Sequence, residues 1–344
     1  MSFARPLLKA VAIIEKDSNN RMLWSWTFPS LEPFERFSIQ EKVSFETDEF
    51  LVVHLEANSW FYTLAQPAPS DPSGPLHLVL STAVVLKTDE FHPEKYLRLL
   101  TALSETYLSS GSPLDVLDVY LTAQTEQLIR QNDTIVDLKT LPHPTENVPI
   151  KELVQCLQLD TILIYIALLL RLRVFVYHHS PTALRGALSA MASLMAHRDH
   201  PFVDTYPLLC NSERDMQLLR GRTSYLAGFT DASVAARQDL RDLWVSLPSA
   251  EVVITPSAKE ALARCKTHKD IALFLSRCVD NERYSDKDVI KEISAKTRSL
   301  LAAIGKIIHK DPTLTADKAI QIANLPPAME AFYKAVARVE RIHN

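Results

Sequence analysis

Glycine is scarce in this chain, with only six among 344 residues. Loops that bind phosphate through the backbone need several glycines close together, because side chains would keep the ligand away. The six glycines are spread along the chain without a cluster, at Gly74, Gly111, Gly186, Gly221, Gly228 and Gly305. This distribution argues against a P-loop enzyme, a protein kinase and a dinucleotide-binding dehydrogenase.

Cysteine pairs, basic clusters and long apolar runs are also lacking. The four cysteines include no C-x-x-C pair, which favours reduced thiols in a cytosolic protein over a disulfide framework. The net charge of −4 and the absence of a Lys/Arg cluster argue against nucleic-acid binding. The longest apolar run has about half of the roughly 20 residues that a bilayer span needs. The N-terminus lacks the apolar core of a signal peptide, so we expect a cytoplasmic protein without a transmembrane segment.

Sequence motifs of known enzyme sites are absent as well, including G-x-S-x-G, H-E-x-x-H and Walker A. The stretch His197–His200 resembles a kinase catalytic loop, but Asp204 stands where that loop needs an asparagine. As zinc ligands, these two histidines lack further ligands nearby, and His178 and His179 would alternate between the faces of a regular strand. We therefore predict no catalytic residue, no metal and no cofactor, and we interpret these histidines as structural.

The central stretch, Thr161–Leu209, has the pattern of a parallel α/β sheet. An almost wholly apolar segment is followed from Arg173 by a β-branched and aromatic run, which Ser180-Pro181 ends. A segment rich in Ala, Leu and Met predicts the next helix, and β-type residues return after Pro201. Apolar helices that alternate with apolar strands are typical of a parallel sheet covered by helices.

The region before this stretch predicts an antiparallel module. Residues 7–30 and 50–66 have the pattern of two hairpins, and residues 76–86 predict a further strand. Two helices are predicted to follow, from Pro93 to Gly111 and from Leu114 to Arg130. A chain of 344 residues is expected to form two domains, and this module accounts for the first.

The rest of the chain predicts a linker and a helical end. Residues 131–149 hold three prolines among polar residues, which is typical of a linker. From Ser257 to the end we expect helices, with capping boxes at Ser257 and Ser285 and a last helix that starts at Pro326-Pro327.

Three aromatic residues, Trp24, Trp26 and Phe28, have the same parity in the second predicted strand. They share one face of a regular strand, and we interpret the two tryptophans as core residues of the small sheet. Phe28 is different, because Pro29-Ser30 ends the strand there. Since interface anchors are often aromatic, Phe28 is a candidate contact for a partner, with a core position as the alternative.

Several short runs in this order resemble the DENN domain family. The central part matches the family in the order of its segments, which are an apolar helix, the basic residues Arg171 and Arg173, an apolar strand that ends in serine, and a helix rich in Ala and Leu. Further matching runs extend from residue 14 to residue 269, and their order and spacing carry the resemblance. They are Ile14-Glu-Lys-Asp17, Leu23-Trp-x-Trp26 with Pro29-Ser30, Phe91-His-Pro-Glu-Lys-Tyr96, Gly111-Ser-Pro113, Pro201-Phe202, Tyr225-Leu-Ala-Gly-Phe229, Ala258-Lys-Glu-Ala261 and His268-Lys269.

The resemblance implies an α/β fold with an α+β longin-like module, an α/β DENN core and C-terminal helices. The implied ranges are 1–135 for the longin-like (uDENN) module, 136–256 for the DENN core and 257–344 for the helical (dDENN) part. It also implies guanine-nucleotide exchange on a Rab-family GTPase of regulated secretion or late endosomes, by a cytoplasmic protein peripheral on late endosomes. The alternative is a non-catalytic scaffold that docks onto the endosomal Commander assembly.

An exchange factor performs no covalent chemistry, which agrees with the lack of enzyme motifs. It binds the nucleotide-free GTPase better than the loaded one and so shifts an equilibrium. The candidate GTPase-binding residues are Trp26, Phe28, Arg220, Arg222 and Asp231, the last because strand ends in open α/β sheets often face a binding cleft. A third possibility is an arginine supplied to a GTPase by Arg220, Arg222 or Arg237, as opposed to solvated loop charges. Phe28 replaces an expected tyrosine, and the approach to Tyr225 is more basic than expected, so the Rab is left open.

Overall fold

The computed structural model describes residues 8–45, 49–56, 59–131, 134–146, 148–311 and 313–343. The chain divides into two compact units, Met1–Pro144 and Thr145–Asn344. Each unit contains a five-stranded sheet together with helices, so the predicted mixed α/β fold is confirmed. The finer division at residues 135 and 256 remains a prediction.

Unit 1 is built on an antiparallel sheet with the strand order β2-β1-β5-β4-β3, so that β2 and β3 are its edges. Its elements are β1 (Leu8–Asp17), β2 (Met22–Phe28), α1 (Pro33–Gln40), β3 (Glu49–Glu56), β4 (Ser59–Pro67), β5 (Val79–Thr88), α2 (Pro93–Ser110), α3 (Pro113–Glu126), β6 (Leu128–Gln131) and β7 (Thr134–Asp137). Both predicted hairpins, the further strand and both helices are confirmed. The turn predicted at Asn58-Ser59 lies partly outside the described residues.

The helices of unit 1 cover both faces of this sheet. Ile39 of α1 belongs to the core on one face, and α2 and α3 pack on the strands from the other side. Tyrosine hydroxyls tie α2 to the sheet and to the loop before it: Tyr96 donates to Glu90 Oε1 at 2.8 Å and Tyr107 to Glu15 Oε1 at 2.5 Å. Helix α2 ends where Gly111 takes a left-handed conformation (φ 65°), in which a Cβ atom would lie 2.6 Å from Pro75.

The end of α3 differs from the prediction, because the helix stops at Glu126 and not at Arg130. Gln127 takes a left-handed conformation (φ 61°), and its N–H donates to the carbonyl of Ala123, which closes the helix. Ile129 is buried, and β6 pairs with β7 as a small hairpin. The prediction of a linker from residue 131 is therefore wrong in its first part. Strands of four residues are too short to be recognised by periodicity.

A bulge in β2 changes the position of its aromatic residues. Ile13 pairs with Trp26 and Ile14 pairs with Trp24, so Ser25 has no partner of its own in β1. This extra residue places the two tryptophans on opposite faces of the sheet, because side chains alternate along a strand. Trp24 packs against the core that contains Ile14. The predicted common face is therefore wrong.

Unit 2 is built on a sheet with the strand order β12-β11-β8-β10-β9, in which all strands except β12 are parallel. Its elements are α4 (Ile150–Leu157), α5 (Thr161–Leu169), β8 (Arg173–Tyr177), α6 (Pro181–Ser193), β9 (Thr205–Leu209), α7 (Glu213–Arg220), β10 (Tyr225–Phe229), β11 (Leu243–Ser246), β12 (Glu251–Ile254), α8 (Lys266–Asp280), α9 (Asp286–Ile308), α10 (Ala316–Ile322) and α11 (Pro327–Val339). The predicted alternation of helices and strands in the central stretch is confirmed.

Close packing against the helices explains one residue of the sheet. Gly228 lies in β10 where α6 crosses, and a Cβ atom there would lie 2.4 Å from Leu188 Cδ1 and 2.6 Å from the carbonyl oxygen of Pro207. Only glycine leaves room for both neighbours. The resemblance to the family thus includes a residue that the packing requires.

The segment Ile150–Leu169 is long and apolar enough, by length and composition alone, to cross a membrane. Buried residues make up 61% of its most apolar window. Helix α5 within this segment is apolar on all sides and lies in the core of unit 2, which is typical of a central helix in a globular protein.

The start of the C-terminal helices was only partly predictable. The capping box expected at Ser257 is wrong, because only a short 3₁₀ helix, Pro256–Ala258, forms there. The next helix, α8, begins after Cys265, whose N–H donates to Nδ1 of His268 at 3.3 Å. The box at Ser285 is confirmed, since its hydroxyl accepts from Asp288 N and donates to the Asp288 carboxylate. The last helix starts at Pro327, as predicted.

Candidate functional site

The aromatic residues at the end of β2 form a small cluster on the edge of unit 1. Trp26 and Phe28 stack with their ring centroids 6.3 Å apart and their planes at 9°. Phe28 also meets the ring of Tyr120 in α3, edge to face, at 6.3 Å. Phe28 is 39% exposed, whereas Tyr120 is buried. Phe28 therefore rests on a fixed support and still presents part of its ring to solvent.

Helix α3, which carries Tyr120, also has three leucines on one stripe, of which two are exposed. The leucines are Leu114, Leu117 and Leu121. Their spacing of three and four positions places them on one stripe of the helix. Leu114 is 72% exposed and Leu121 is 39% exposed. We name Trp26, Phe28, Leu114, Leu117 and Leu121 the β2–α3 surface. Exposed apolar groups mark interaction sites more often when they are contiguous than when they are isolated.

The other face of β2 has a structural role. Trp24 donates its indole N–H to Gln40 Oε1 at 3.3 Å, and the guanidinium of Arg36 lies 5.7 Å above its ring. These contacts tie β2 to α1. The bulge at Ser25 thus separates a tryptophan that holds the module together from one that lies beside the exposed Phe28.

The other candidate residues lie in unit 2, at opposite ends of β10. Arg220 ends α7 and Arg222 precedes β10, whereas Asp231 follows β10. A strand of five residues spans roughly 16 Å. The structure therefore does not bring the two arginines together with Asp231.

Each of these polar residues has a local partner. Arg220 forms an ion pair with Glu213, which lowers the pKa of that carboxyl. Arg222 approaches the hydroxyl of Tyr206. The carboxylate of Asp231 accepts hydrogen bonds from the hydroxyl and N–H of Ser233, and these bonds lower its pKa. Such contacts are those of helix ends and loops.

Arg237, the third arginine considered for a role at a GTPase, donates to Asn211 Oδ1 at 3.4 Å. It too is held within its own loop region.

The motif at residues 197–200 holds two helical segments together. Arg198 donates to the carbonyls of Leu168 and Leu169 at the end of α5, and it forms an ion pair with Glu340 at 2.5 Å. His197 Nε2 lies 3.6 Å from the same carboxylate. Burial alone would raise the pKa of Glu340, but the neighbouring His197 and Arg198 outweigh it and lower the pKa to about 2. Arg198 of this motif thus joins the end of α5 to the end of α11, and the structural role of the two histidines stays a prediction.

The pair His178-His179 differs from the prediction of alternating faces. Strand β8 ends at Tyr177, and the two imidazole rings stack with centroids 4.3 Å apart. Within the described parts of the chain, no group of three or more His, Cys, Asp or Glu side chains is arranged to hold a metal ion.

Comparisons with known proteins cover nearly the whole chain. It is 30% identical over 350 residues to the zebrafish (Danio rerio) DENN domain-containing protein 10, with 98% of each chain covered. The chain belongs to the DENN domain-containing protein 10 family. It is also 30% identical to the human putative DENN domain-containing protein 10 B, over 98% of this chain and 96% of that one. A relative of the same name in Dictyostelium discoideum is 26% identical over the full length of both.

No model of a known protein family matches the chain. The relationship to the DENN domain-containing protein 10 family therefore rests on the full-length comparisons, and they confirm the resemblance seen in the sequence.

The structure shows the role of several residues in the runs that carry the resemblance. His92 accepts from Lys95 N at the start of α2, and Gly111 ends that helix in a left-handed conformation. At the start of α8 the arrangement is reversed, since His268 lies in the first turn and accepts from the N–H of Cys265, which precedes the helix. These residues lie at helix ends, where the backbone limits the choice of side chain.

Proposed function

We propose that this chain is a guanine-nucleotide exchange factor for a Rab-family GTPase and that the β2–α3 surface binds the GTPase. DENN domain proteins are in general exchange factors of Rab GTPases. The observation that supports this site is the exposed Phe28, which stacks on Trp26 and rests on the buried Tyr120. An aromatic side chain on a rigid support is the type of residue that dominates binding energy at interfaces.

The mechanism requires binding energy and no catalytic side chain. For GDP to be released a hundredfold faster, the surface must stabilise the GTPase with an open nucleotide site by about 2.7 kcal/mol more than it stabilises the loaded GTPase. One well-buried aromatic contact contributes about that much. A few aromatic and apolar anchors therefore supply enough energy for exchange when they contact the GTPase only in its open state.

The polar candidates require separate tests, because β10 separates them. Arg220 and Arg222 offer positive charge at one end of the strand, and Asp231 offers negative charge at the other. If Asp231 contacts the GTPase, Asp231→Ala slows exchange beyond what the loss of its contacts with Ser233 explains. An unchanged exchange rate removes Asp231 from the site.

The family resemblance also suggests the setting. We infer a Rab of regulated secretion or late endosomes, and a peripheral location of the protein on late endosomes. A non-catalytic scaffold on the endosomal Commander assembly is the alternative, and it predicts the opposite outcome in the following experiment.

The decisive experiment measures release of fluorescent GDP from a panel of purified Rab GTPases, with this protein at micromolar concentration. Faster release from one or two members is expected and would name the substrate. No acceleration across the panel, together with stable capture of an endosomal complex by the full-length chain, would contradict the exchange function and favour the scaffold.

A further inference from the structure

A groove between α4 and α6 in unit 2 has the features of a ligand pocket, and the proposed exchange function does not use it. Its volume is about 310 Å³, at the lower end of the range typical of small-molecule sites, roughly 300 to 1,000 Å³. All of the residues that line it lie between positions 149 and 247. The groove therefore belongs entirely to unit 2.

The position of the groove in the sheet is the one at which open α/β folds bind ligands. His178 follows the carboxyl end of β8, and Leu247 follows that of β11. These two strands are parallel neighbours. In folds of this type, ligands bind in the crevice beyond the carboxyl ends of adjacent strands.

Small residues of α6 create the space. Gly186 and Ala187 face α4, and a Cβ atom on Gly186 would lie 3.6 Å from Pro149, which is ordinary contact. The two helices thus meet at Pro149 and leave room beside Ala187. Leu153 and Leu247 complete an apolar floor.

Three polar side chains line the groove beside this floor, and two of them, Glu152 and Thr182, are exposed to solvent. His178 Nδ1 lies 2.9 Å from the N–H of Ser180 and 3.3 Å from its carbonyl oxygen. The shorter contact makes Nδ1 an acceptor, because a proton there would clash with that N–H, so the ring proton is on Nε2. Glu152 supplies a carboxylate acceptor, and Thr182 supplies a hydroxyl. In the part of the chain that the structure describes, His178 Nε2, the Glu152 carboxylate and the Thr182 hydroxyl have no hydrogen-bond partner. One donor and one acceptor above an apolar floor are complementary to an amide.

We propose that this groove binds a small neutral molecule that combines a compact apolar body with an amide group. The carbonyl of the amide accepts from His178 Nε2, and its N–H donates to the carboxylate of Glu152. The apolar body lies on Leu153, Ala187 and Leu247.

Cys156 makes this proposal testable, because its exposed thiol lies at the edge of the groove, 3.8 Å from the carbonyl of Leu247. The probe is the symmetric disulfide of N-isobutyryl-cysteamine, which carries an amide and a branched alkyl group. The control probe is the disulfide of an alkyl thiol of the same length without the amide. Intact mass and peptide mapping give the reductant concentration at which Cys156 is half labelled by each probe.

Half-labelling of Cys156 is expected at a reductant concentration about tenfold higher for the amide probe than for the alkyl probe, because the amide forms two additional hydrogen bonds. Ala187→Leu fills the groove and should remove this advantage, whereas Ala302→Leu, on an exposed part of α9, should retain it. Glu152 is exposed, so Glu152→Ala keeps the fold, and it should reduce the advantage severalfold. Equal labelling by the two probes, or an advantage that survives Glu152→Ala, would overturn the proposal.

Discussion

The two units of this chain stabilise their sheets in different ways. In unit 1, β1, β4 and β5 are nine or ten residues long and pair along most of their length. In unit 2, the strands have only four or five residues. A short strand forms few ladder hydrogen bonds, so its position depends more on packing and on contacts at its ends.

Side chains hold the amino ends of two strands in unit 2. Arg173, at the start of β8, forms an ion pair with Asp242 at 2.9 Å, and Tyr225, at the start of β10, donates to the carbonyl of Leu240. Arg198 joins the end of α5 to Glu340. These side-chain links hold short strands and a helix end of unit 2, whereas the longer strands of unit 1 pair extensively and leave the aromatic Phe28 partly exposed on an edge strand.

The comparison predicts that the largest losses of stability come from the packing of unit 2. Gly228→Ala places a methyl group within 2.6 Å of a backbone carbonyl, so we expect a fall of about 3 kcal/mol or more in the free energy of unfolding. Urea unfolding measures this value. Gly221→Ala is the matched control, because its new Cβ atom would meet nothing closer than 3.7 Å. If Gly228→Ala costs as little stability as Gly221→Ala, strand β10 can move enough to accommodate the added methyl group.

The second prediction concerns acid and the buried His268 in unit 2. Burial lowers the pKa of its imidazole from 6.5 to about 4. Between these pH values the unfolded chain binds a proton that the folded chain does not, so stability falls as the pH drops from 6.5 to 4, by roughly 3 kcal/mol. Urea unfolding at pH 7 and at pH 5 measures the part of this loss that occurs above pH 5.

The variant His268→Gln is the control for this pH dependence. Glutamine keeps an acceptor for the N–H of Cys265 but does not titrate, so the variant should lose less stability between pH 7 and pH 5 than the original chain. The same loss in both proteins would show that His268 titrates normally in the folded state.

The third prediction breaks the link between α5 and the end of α11. Arg198→Met leaves the partly buried Glu340 without its main partner and two carbonyls of α5 without a donor. We expect a loss of about 2 kcal/mol in the free energy of unfolding. Arg338→Ala removes an exposed pair with Asp317 and should change stability by less than about 1 kcal/mol. Equal effects would mean that the Arg198 link is no stronger than a surface pair.

The smallest effect on stability is expected on the β2–α3 surface. Phe28→Ala should leave the melting temperature within a few degrees, because the ring is partly exposed, and it should weaken GTPase binding about tenfold or more. Phe34→Ala, at an exposed phenylalanine of α1, is the control and should leave binding unchanged. A large fall in the melting temperature of Phe28→Ala would show that Phe28 belongs to the core and would remove it from the site.

The periodicity of the chain was sufficient to predict most of the fold. The alternation of apolar helices and strands in Thr161–Leu209 led directly to the parallel sheet, and the capping box at Ser285 marked the start of α9. The box at Ser257 was misleading, because its side chains suit a short 3₁₀ turn as well as an α-helix. Local capping signals cannot tell how far a helix will continue, since that depends on packing further along the chain.

The candidate site was less predictable than the fold. Strand parity placed Trp24 and Trp26 together, and no feature of the sequence marks the extra residue, Ser25, that separates them. The contact between Phe28 and Tyr120 joins residues 92 positions apart, and the groove beside Ala187 depends on how closely two helices approach. These relations arise from tertiary packing, which periodicity does not record.

The bulge at Ser25 makes the side on which Phe28 is displayed depend on a residue count and not on a residue type. Deleting Leu23, which lies between the turn and the bulge, would change no aromatic residue and would restore strict alternation from Trp24 to Phe28. Trp26 and Phe28 would then lie on the same side of the sheet as Trp24, although their own neighbours in the sequence would be unchanged. Among relatives of this chain, the length of β2 should therefore be as informative about partner binding as the identity of its aromatic residues.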